Sequence, residues 1–359
     1  MQGFDLAAFG LIGNLVVFLI CSAVVWVGGV RLARGADALA DKIGIGHAFI
    51  GIFLLGAMVS LPEMTFSAVA AARGNAELAV NGLLGGIGIT MVVVAITDFV
   101  VGREPLSLDV KRPVVMFQGA MVVLILCVAA SGITTSDVLL PGLGTAGAWT
   151  LTLVAIYVFT ILAVKRIEPR RPWKPDPAKA DFDQEDRRKA AKLRKELQKD
   201  EQRSIAAIAA FTAFAALAVV GAGTVLAFSA EVLAEQTGLG DSFVGFLFGG
   251  IATTLPELST TIAAARLGQF EMTFSDAFGT NLFSTGLIFL ADALYRGGPI
   301  LNEVGSFSAF GVLLGIALTT IYLAGLVVRE KRSILRMGYD SHAVLIVALI
   351  GFGILYTLR

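Results

Sequence analysis

Leu61-Pro62-Glu63 and Leu255-Pro256-Glu257 are one tripeptide used twice, each time inside a long apolar stretch. A proline lacks the N–H that a helix interior needs, so each copy should disturb its helix four residues earlier, near Met58 and Ala252. A carboxylate at hydrocarbon depth is disfavoured by several kcal/mol and is by default a functional group. The same unfavourable pair at corresponding places in two halves of a chain points to a binding site shared between the halves.

The surroundings of the tripeptides decide the fold class. The chain has 359 residues, 56% of them hydrophobic, and a mean hydropathy of +0.80. Many windows exceed the roughly 18 apolar residues that mark a membrane-spanning helix, so an all-α membrane protein is expected and a soluble one is excluded. Cys21 and Cys127 lie in apolar segments; they are expected to be buried packing residues, without disulfide or metal-ligand spacing. The first basic residue is Arg31, so the opening apolar segment reads as a first span and not a leader.

Ten spans are predicted, at about 8–30, 47–72, 78–101, 114–132, 146–165, 205–230, 243–266, 270–294, 306–328 and 342–358. With the N-terminus outside, 25 of the 28 Lys and Arg residues fall on the inner side and only Arg73, Arg296 and Arg359 on the outer. That asymmetry satisfies the positive-inside rule. The one long polar stretch, 166–204, holds Pro- and Arg-rich sequence followed by a charged helical run. It reads as a solvated cytoplasmic linker between a first half, 1–165, and a second, 205–359.

Residues 29–98 align on 223–292 without gaps, with twenty of seventy positions identical. The shared positions include Gly44/Gly238, Gly46/Gly240, Gly56/Gly250, Pro62/Pro256, Glu63/Glu257, Gly74/Gly268, Glu77/Glu271, Gly85/Gly279 and Asp98/Asp292. The copies are five spans apart, an odd number, so they should cross the membrane in opposite directions. The charges agree: Arg31, Arg34 and Lys42 become Val225, Phe228 and Gln236. Two inverted five-helix repeats, centred on 46–98 and 240–292, are therefore expected.

On a helix, positions three and four apart share a face. Ser60 then neighbours Glu63, and Thr253 and Thr254 neighbour Glu257, whereas the counterpart of Thr253 is Val59. In the following helix of the second copy Thr280 and Ser284 share a face, with Asn281 beside them; the first copy has Gly86, Thr90 and Ile87 there. Carboxylates, hydroxyls and carbonyls are hard oxygen ligands suited to Ca²⁺ and Na⁺-like ions. Carbonyls loosened by the prolines around Gly56–Met58 and Gly250–Ala252 would add neutral oxygens where they line a cavity. Asp276 is placed either on an access path or in a structural role. Asp98 and Asp292, near span ends, are expected to cap or reach the interface, and Glu77 and Glu271 to sit at helix N-termini for the dipole. His47 and His342 read as interfacial residues.

Val59-Ser-Leu-Pro-Glu-Met and Thr253-Thr-Leu-Pro-Glu-Leu resemble the G-T-S-x-P-E repeat signature of the sodium/calcium exchangers of the cation/calcium antiporter superfamily. Phe274-Ser-Asp-Ala-Phe-Gly-Thr-Asn-Leu-Phe-Ser is similar to that family's G-N-x-x-G-S-N-x-F-[ND] signature. The resemblance implies that Glu63 and Glu257 hold a central cation. It also implies that Ser60, Thr253, Thr254, Thr280, Ser284 and Thr90 occupy ligand positions. The departures are Val59 for Thr, Gly86 for Ser, Ile87 for Asn, Asp276 for Asn, and Thr90 and Ser284 for Asn or Asp.

The expected function is secondary antiport of Ca²⁺ against Na⁺ or H⁺ by alternating access. The ions are transient cargo; no cofactor is expected, and the partners are membrane lipid and inorganic cations, not nucleic acid. A bacterial inner membrane is the expected location. The rival readings are a proton-coupled antiporter of another cation and a membrane protein that binds or senses a cation without carrying it. An enzyme is disfavoured by the duplicated symmetric frame and the lack of a Cys, His or ligand cluster.

Overall fold

Without water to satisfy it, backbone at membrane depth must pair with itself, and these apolar runs do so as helices. The computed structural model describes residues 9–43, 59–101, 104–110, 112–139, 146–167 and 204–359. The helices are α1 (Gly10–Ile43), α2 (Leu61–Ala72), α3 (Ala76–Val101), α4 (Pro113–Thr135) and α5 (Ala148–Ile167), then α6 (Ile205–Thr237), α7 (Gly250–Arg266), α8 (Phe270–Leu294), α9 (Ser306–Val328) and α10 (Tyr339–Leu358). Eight of them are long and apolar enough to cross a membrane; α2 and α7 are shorter as described. A one-turn helix, Asp241–Phe243, and a π-helical segment, Val244–Gly249, lead directly into α7. A two-stranded ribbon, β1 (Ser333–Ile334) with β2 (Met337–Gly338), precedes α10. The chain is thus an all-α membrane protein of some eight to ten apolar helices. The expected linker, 166–204, lies almost wholly outside the described residues, as do Gly56, Met58 and His47.

Two boundaries differ from expectation. Helix α1 continues past Arg31 and Arg34 to Ile43, and α6 runs to Thr237, because charged residues end a span without ending a helix. The αL residue Gly238 then stops α6. Cys127 is exposed on α4, so the expectation of a buried thiol fails there because it faces outward from its helix; Cys21 is partly buried and packs against the core.

Helix α3 sits at the centre and is buried on nearly every side from Leu78 to Ala95. Its glycines let neighbours approach backbone to backbone. A Cβ on Gly85 would lie 1.8 Å from the Phe246 carbonyl oxygen, and one on Gly250 would lie 2.7 Å from the Gly85 carbonyl carbon.

Packing repeats with an offset of five helices: α1 lies on α7 as α6 lies on α2, α3 on α7 as α8 on α2, and α5 on α8 as α10 on α3. At the first of these contacts Gly29 receives the Pro256 ring, at 2.5 Å from an added Cβ, and Gly223 receives Thr65 at 3.2 Å. Asp98 and Asp292 brace the third. Asp98 accepts the N–H groups of Leu106 (3.0 Å) and Gly338 (2.8 Å), the latter at the start of α10. Asp292 accepts those of Ile300 (2.7 Å) and Gly147 (2.7 Å) and the Thr150 hydroxyl at the start of α5. Each aspartate therefore ties the last helix of one half to the end of α3 or α8 in the other.

Candidate cation site

The two prolines act differently. Pro62 stands in the first turn of α2, and the disturbance expected at Met58 lies outside the described residues. Pro256 stands inside α7, which stays helical through it. Helical geometry continues through Ala252, the expected place of a break; the irregular turn is the π segment ending at Gly249. Pro256 still leaves the Ala252 carbonyl without its helical donor.

Glu63 and Glu257 are both buried, at 2% exposure each. Glu63 is tied to the other half: its Oε2 accepts the Ser284 hydroxyl at 2.5 Å. Among the described residues its Oε1 and both Glu257 oxygens form no well-aligned hydrogen bond, although the Thr254 hydroxyl stands beside Glu257 as a donor, and the Ser60 hydroxyl is likewise unbonded. The charge of Glu63 acts on Glu257. Gly86 lies between these groups, since a Cβ there would sit 2.5 Å from Glu63 Oε1 and 3.7 Å from Thr254 Oγ1. The structure thus brings Glu63, Thr254 and Ser284 around Gly86.

The remaining positions divide by how their oxygens are used. Thr253 donates to the carbonyls of Gly249 (3.0 Å) and Gly250 (3.3 Å), and Thr90 to that of Gly86 (2.9 Å). Their hydroxyl protons are spent on their own helices, which leaves oxygen lone pairs. Thr280 is buried at 6% exposure, one turn from Ser284. Gly250 contributes closeness to α3 before it contributes a carbonyl. Glu77 accepts from Ser242 (2.8 Å) and Glu271 pairs with Arg112 (2.9 Å), both near the ends of their helices.

Sequence reasoning missed two features. One is the room that Gly86 leaves for the Glu63 carboxylate, signalled only by glycine standing where the second copy has Thr280. The other is the bond by which Asn281 crosses to the first half: it donates to the carbonyl of Ile87, its own counterpart in the repeat, at 3.3 Å, and its Oδ1 has no partner among the described residues.

Several unpaired oxygens around two carboxylates, buried together, form a cluster that desolvation disfavours by several kcal/mol unless a cation or protons join it. Hydroxyl and carboxylate oxygens without nitrogen or sulfur suit hard cations. The chain is 25% identical over 275 residues to the inner membrane protein YrbG of Escherichia coli (strain K12), covering 75% of this chain and 76% of that protein. Its fold matches the crystal structure of the H⁺/Ca²⁺ exchanger CAX with a TM-score of 0.69 at 12% identity, over 96% of this chain and 86% of that one. It matches the sodium-calcium exchanger NCX_Mj with a TM-score of 0.59 at 14% identity, over 96% and 99%. Residues 13–165 and 207–358 fit the sequence pattern of the sodium/calcium exchanger protein family. The chain belongs to that family, within the cation/calcium antiporter superfamily, and is an integral, multi-pass membrane protein.

Proposed function

We propose that this protein is a secondary active antiporter that exchanges Ca²⁺ for H⁺ or Na⁺ at one site held by Glu63 and Glu257. The observation that carries the reading is the burial of both carboxylates, with three of their four oxygens lacking a well-aligned hydrogen bond among the described residues. Two ionised acids are neutralised by one divalent ion, two monovalent ions or two protons. An empty, charged site is the state that desolvation disfavours, and this links the release of one ion to the uptake of another.

Ser60, Thr254, Thr253, Thr280, Ser284, Thr90 and the carbonyls near Gly56 and Gly250 complete the oxygen set. Ten spans in two inverted five-helix halves frame it, with α1 and α6 moving against the rest to alternate access. The mirrored helix packing and the ungapped repeat support this frame. The N-terminus faces outside, and the 166–204 linker lies in the cytoplasm of a bacterial-type inner membrane, in keeping with the distribution of basic residues.

One observation favours the proton over Na⁺ as the coupling ion. The first copy offers Val59, Gly86 and a back-bonded Thr90 where flanking oxygens would be needed, so separate monovalent sites are poorly furnished. The test is flux in proteoliposomes with Ca²⁺, Na⁺, K⁺ and H⁺ gradients varied one at a time. Ca²⁺ uptake driven by a pH gradient without Na⁺ is expected; no Ca²⁺ flux under any gradient would refute antiport and leave a cation-binding membrane protein.

A further inference from the structure

The two ends of the site are built from unlike residues at equivalent positions. Along α8, Asp276, Thr280 and Ser284 follow one another at four-residue spacing and share a face. Burial deepens along that stripe: Asp276 is partly exposed, Thr280 is 6% exposed and Ser284 1%. Ser284 is the residue that bonds Glu63, and it stands two turns along the same face from Asp276. The stripe is therefore a graded run of oxygens from the Arg266 end of the hairpin α7–α8 to the Glu63 carboxylate.

The matching stripe on α3 is Gly82, Gly86 and Thr90. Space beside Gly82 is taken by the Phe66 ring, which would meet an added Cβ at 2.7 Å; the same ring lies 2.8 Å from a Cβ on Gly249. Phe66 is 1% exposed and stands one turn beyond Glu63 on α2. Its counterpart on α7 is Thr260, whose hydroxyl bonds the Glu257 carbonyl. The pair Phe66/Gly82 at the Arg73 end thus replaces the pair Thr260/Asp276 at the Arg266 end.

We propose that Asp276 is a further cation-receiving carboxylate, a staging position through which hard inorganic cations pass between the Arg266 end and the two-glutamate site. The Phe66 ring seated on Gly82 and Gly249 puts an apolar plug where the second copy has Asp276; the acids of the Arg73 end, Glu77, Glu231, Asp241 and Glu303, line a pocket beside Arg73. This rests on the antiporter reading above. Asp276 concentrates the cation at one mouth, while passage at the other mouth waits for the ring to move.

The experiment is Ca²⁺ transport by the full chain in oriented proteoliposomes, with the half-saturating Ca²⁺ measured separately at each face. Asp276→Asn is expected to raise it about tenfold at the Arg266 face, the scale of a local charge raising local cation concentration, and to leave the Arg73 face within about twofold. Asp276→Glu should restore most of the loss. The paired exchange Phe66→Thr with Gly82→Asp copies the second mouth onto the first and should lower the half-saturating Ca²⁺ at the Arg73 face alone. Equal changes at both faces for Asp276→Asn, or no change for either variant, would overturn the inference while leaving antiport intact. Absence of flux from the wild-type protein would overturn the antiporter reading and this inference with it.

Discussion

Helices α2 and α3 hold the same frame as α7 and α8, yet the two pairs treat their buried faces differently. The first is a glycine-rich scaffold closed by an aromatic ring, with Phe66 over Gly82 and the Phe246 carbonyl against Gly85. The second carries hydroxyls and an extra acid: Thr253, Thr254, Thr260, Asp276, Thr280 and Ser284. The proline–glutamate pair is kept alike in both, as are Gly85/Gly279 and the bracing pair Asp98/Asp292. The difference teaches that a duplicated frame can keep its two buried carboxylates while leaving each half free to specialise. One half supplies close packing, and the other supplies most of the side-chain oxygens.

The comparison can be broken at its glycines. Gly85→Ala places a methyl group 1.8 Å from a backbone oxygen that cannot swing aside, so a loss of ~3 kcal/mol or more of stability is expected. Gly279→Ala, at the equivalent place in α8, meets nothing within 4 Å and should be close to neutral. Thermal unfolding in detergent distinguishes them, and equal effects would show that the two helices are packed alike after all.

The aspartates sharpen the comparison by testing where the halves remain equivalent. Asp98→Asn and Asp292→Asn each weaken two charge-assisted bonds to backbone N–H groups. Each should lose about 2 kcal/mol. A loss confined to one of them would mean that the two cross-half braces are not a matched pair. Smaller again is the contact of α1 and α6 with the proline helices. Gly29→Ala meets the Pro256 ring at 2.5 Å and Gly223→Ala meets Thr65 at 3.2 Å. The first should slow exchange by a factor of roughly five to ten and the second by less than about two, because overpacking rises steeply as the contact closes.

The smallest effect concerns Asp241, ahead of the π segment. Its partial burial pushes its carboxyl above the ordinary carboxylate value; a hydrogen bond from Asn75 lowers it, and the charges of Glu231, Glu77 and Glu235 raise it further. An acid raised by folding is penalised once ionised. It therefore subtracts stability as pH rises past the ordinary carboxylate value near ~3.9 and through its raised folded value. Asp241→Asn should flatten the dependence of the melting temperature on pH between about 4 and 7. A dependence identical to wild type would show that Asp241 ionises as freely folded as unfolded.

Much of this was legible in the sequence because it depends on local periodicity. The spans follow from apolar length, and the placing of Asp276, Thr280 and Ser284 at four-residue spacing along α8 follows from helical periodicity. What the sequence could not display was contact between segments far apart in the chain. The bond from Ser284 to Glu63, the seat of Phe66 on Gly249 and the bond from Asn281 to the Ile87 carbonyl each join different halves. The π segment was also hidden, because Pro256 looked like the natural place for a break, whereas the chain places its irregular turn at the Val244–Gly249 run where α3 crosses. Cys127 misled for a related reason: in a membrane an apolar side chain gains as much facing lipid as facing the core.

The account stands on Glu63 and Glu257 acting as one site. Calorimetric titration of Ca²⁺ into purified wild-type, Glu63→Gln and Glu257→Gln proteins tests that most directly. One Ca²⁺ per chain is expected in the wild type, with binding lost in both variants to the same degree. A variant that still binds Ca²⁺ with wild-type affinity would contradict a shared site.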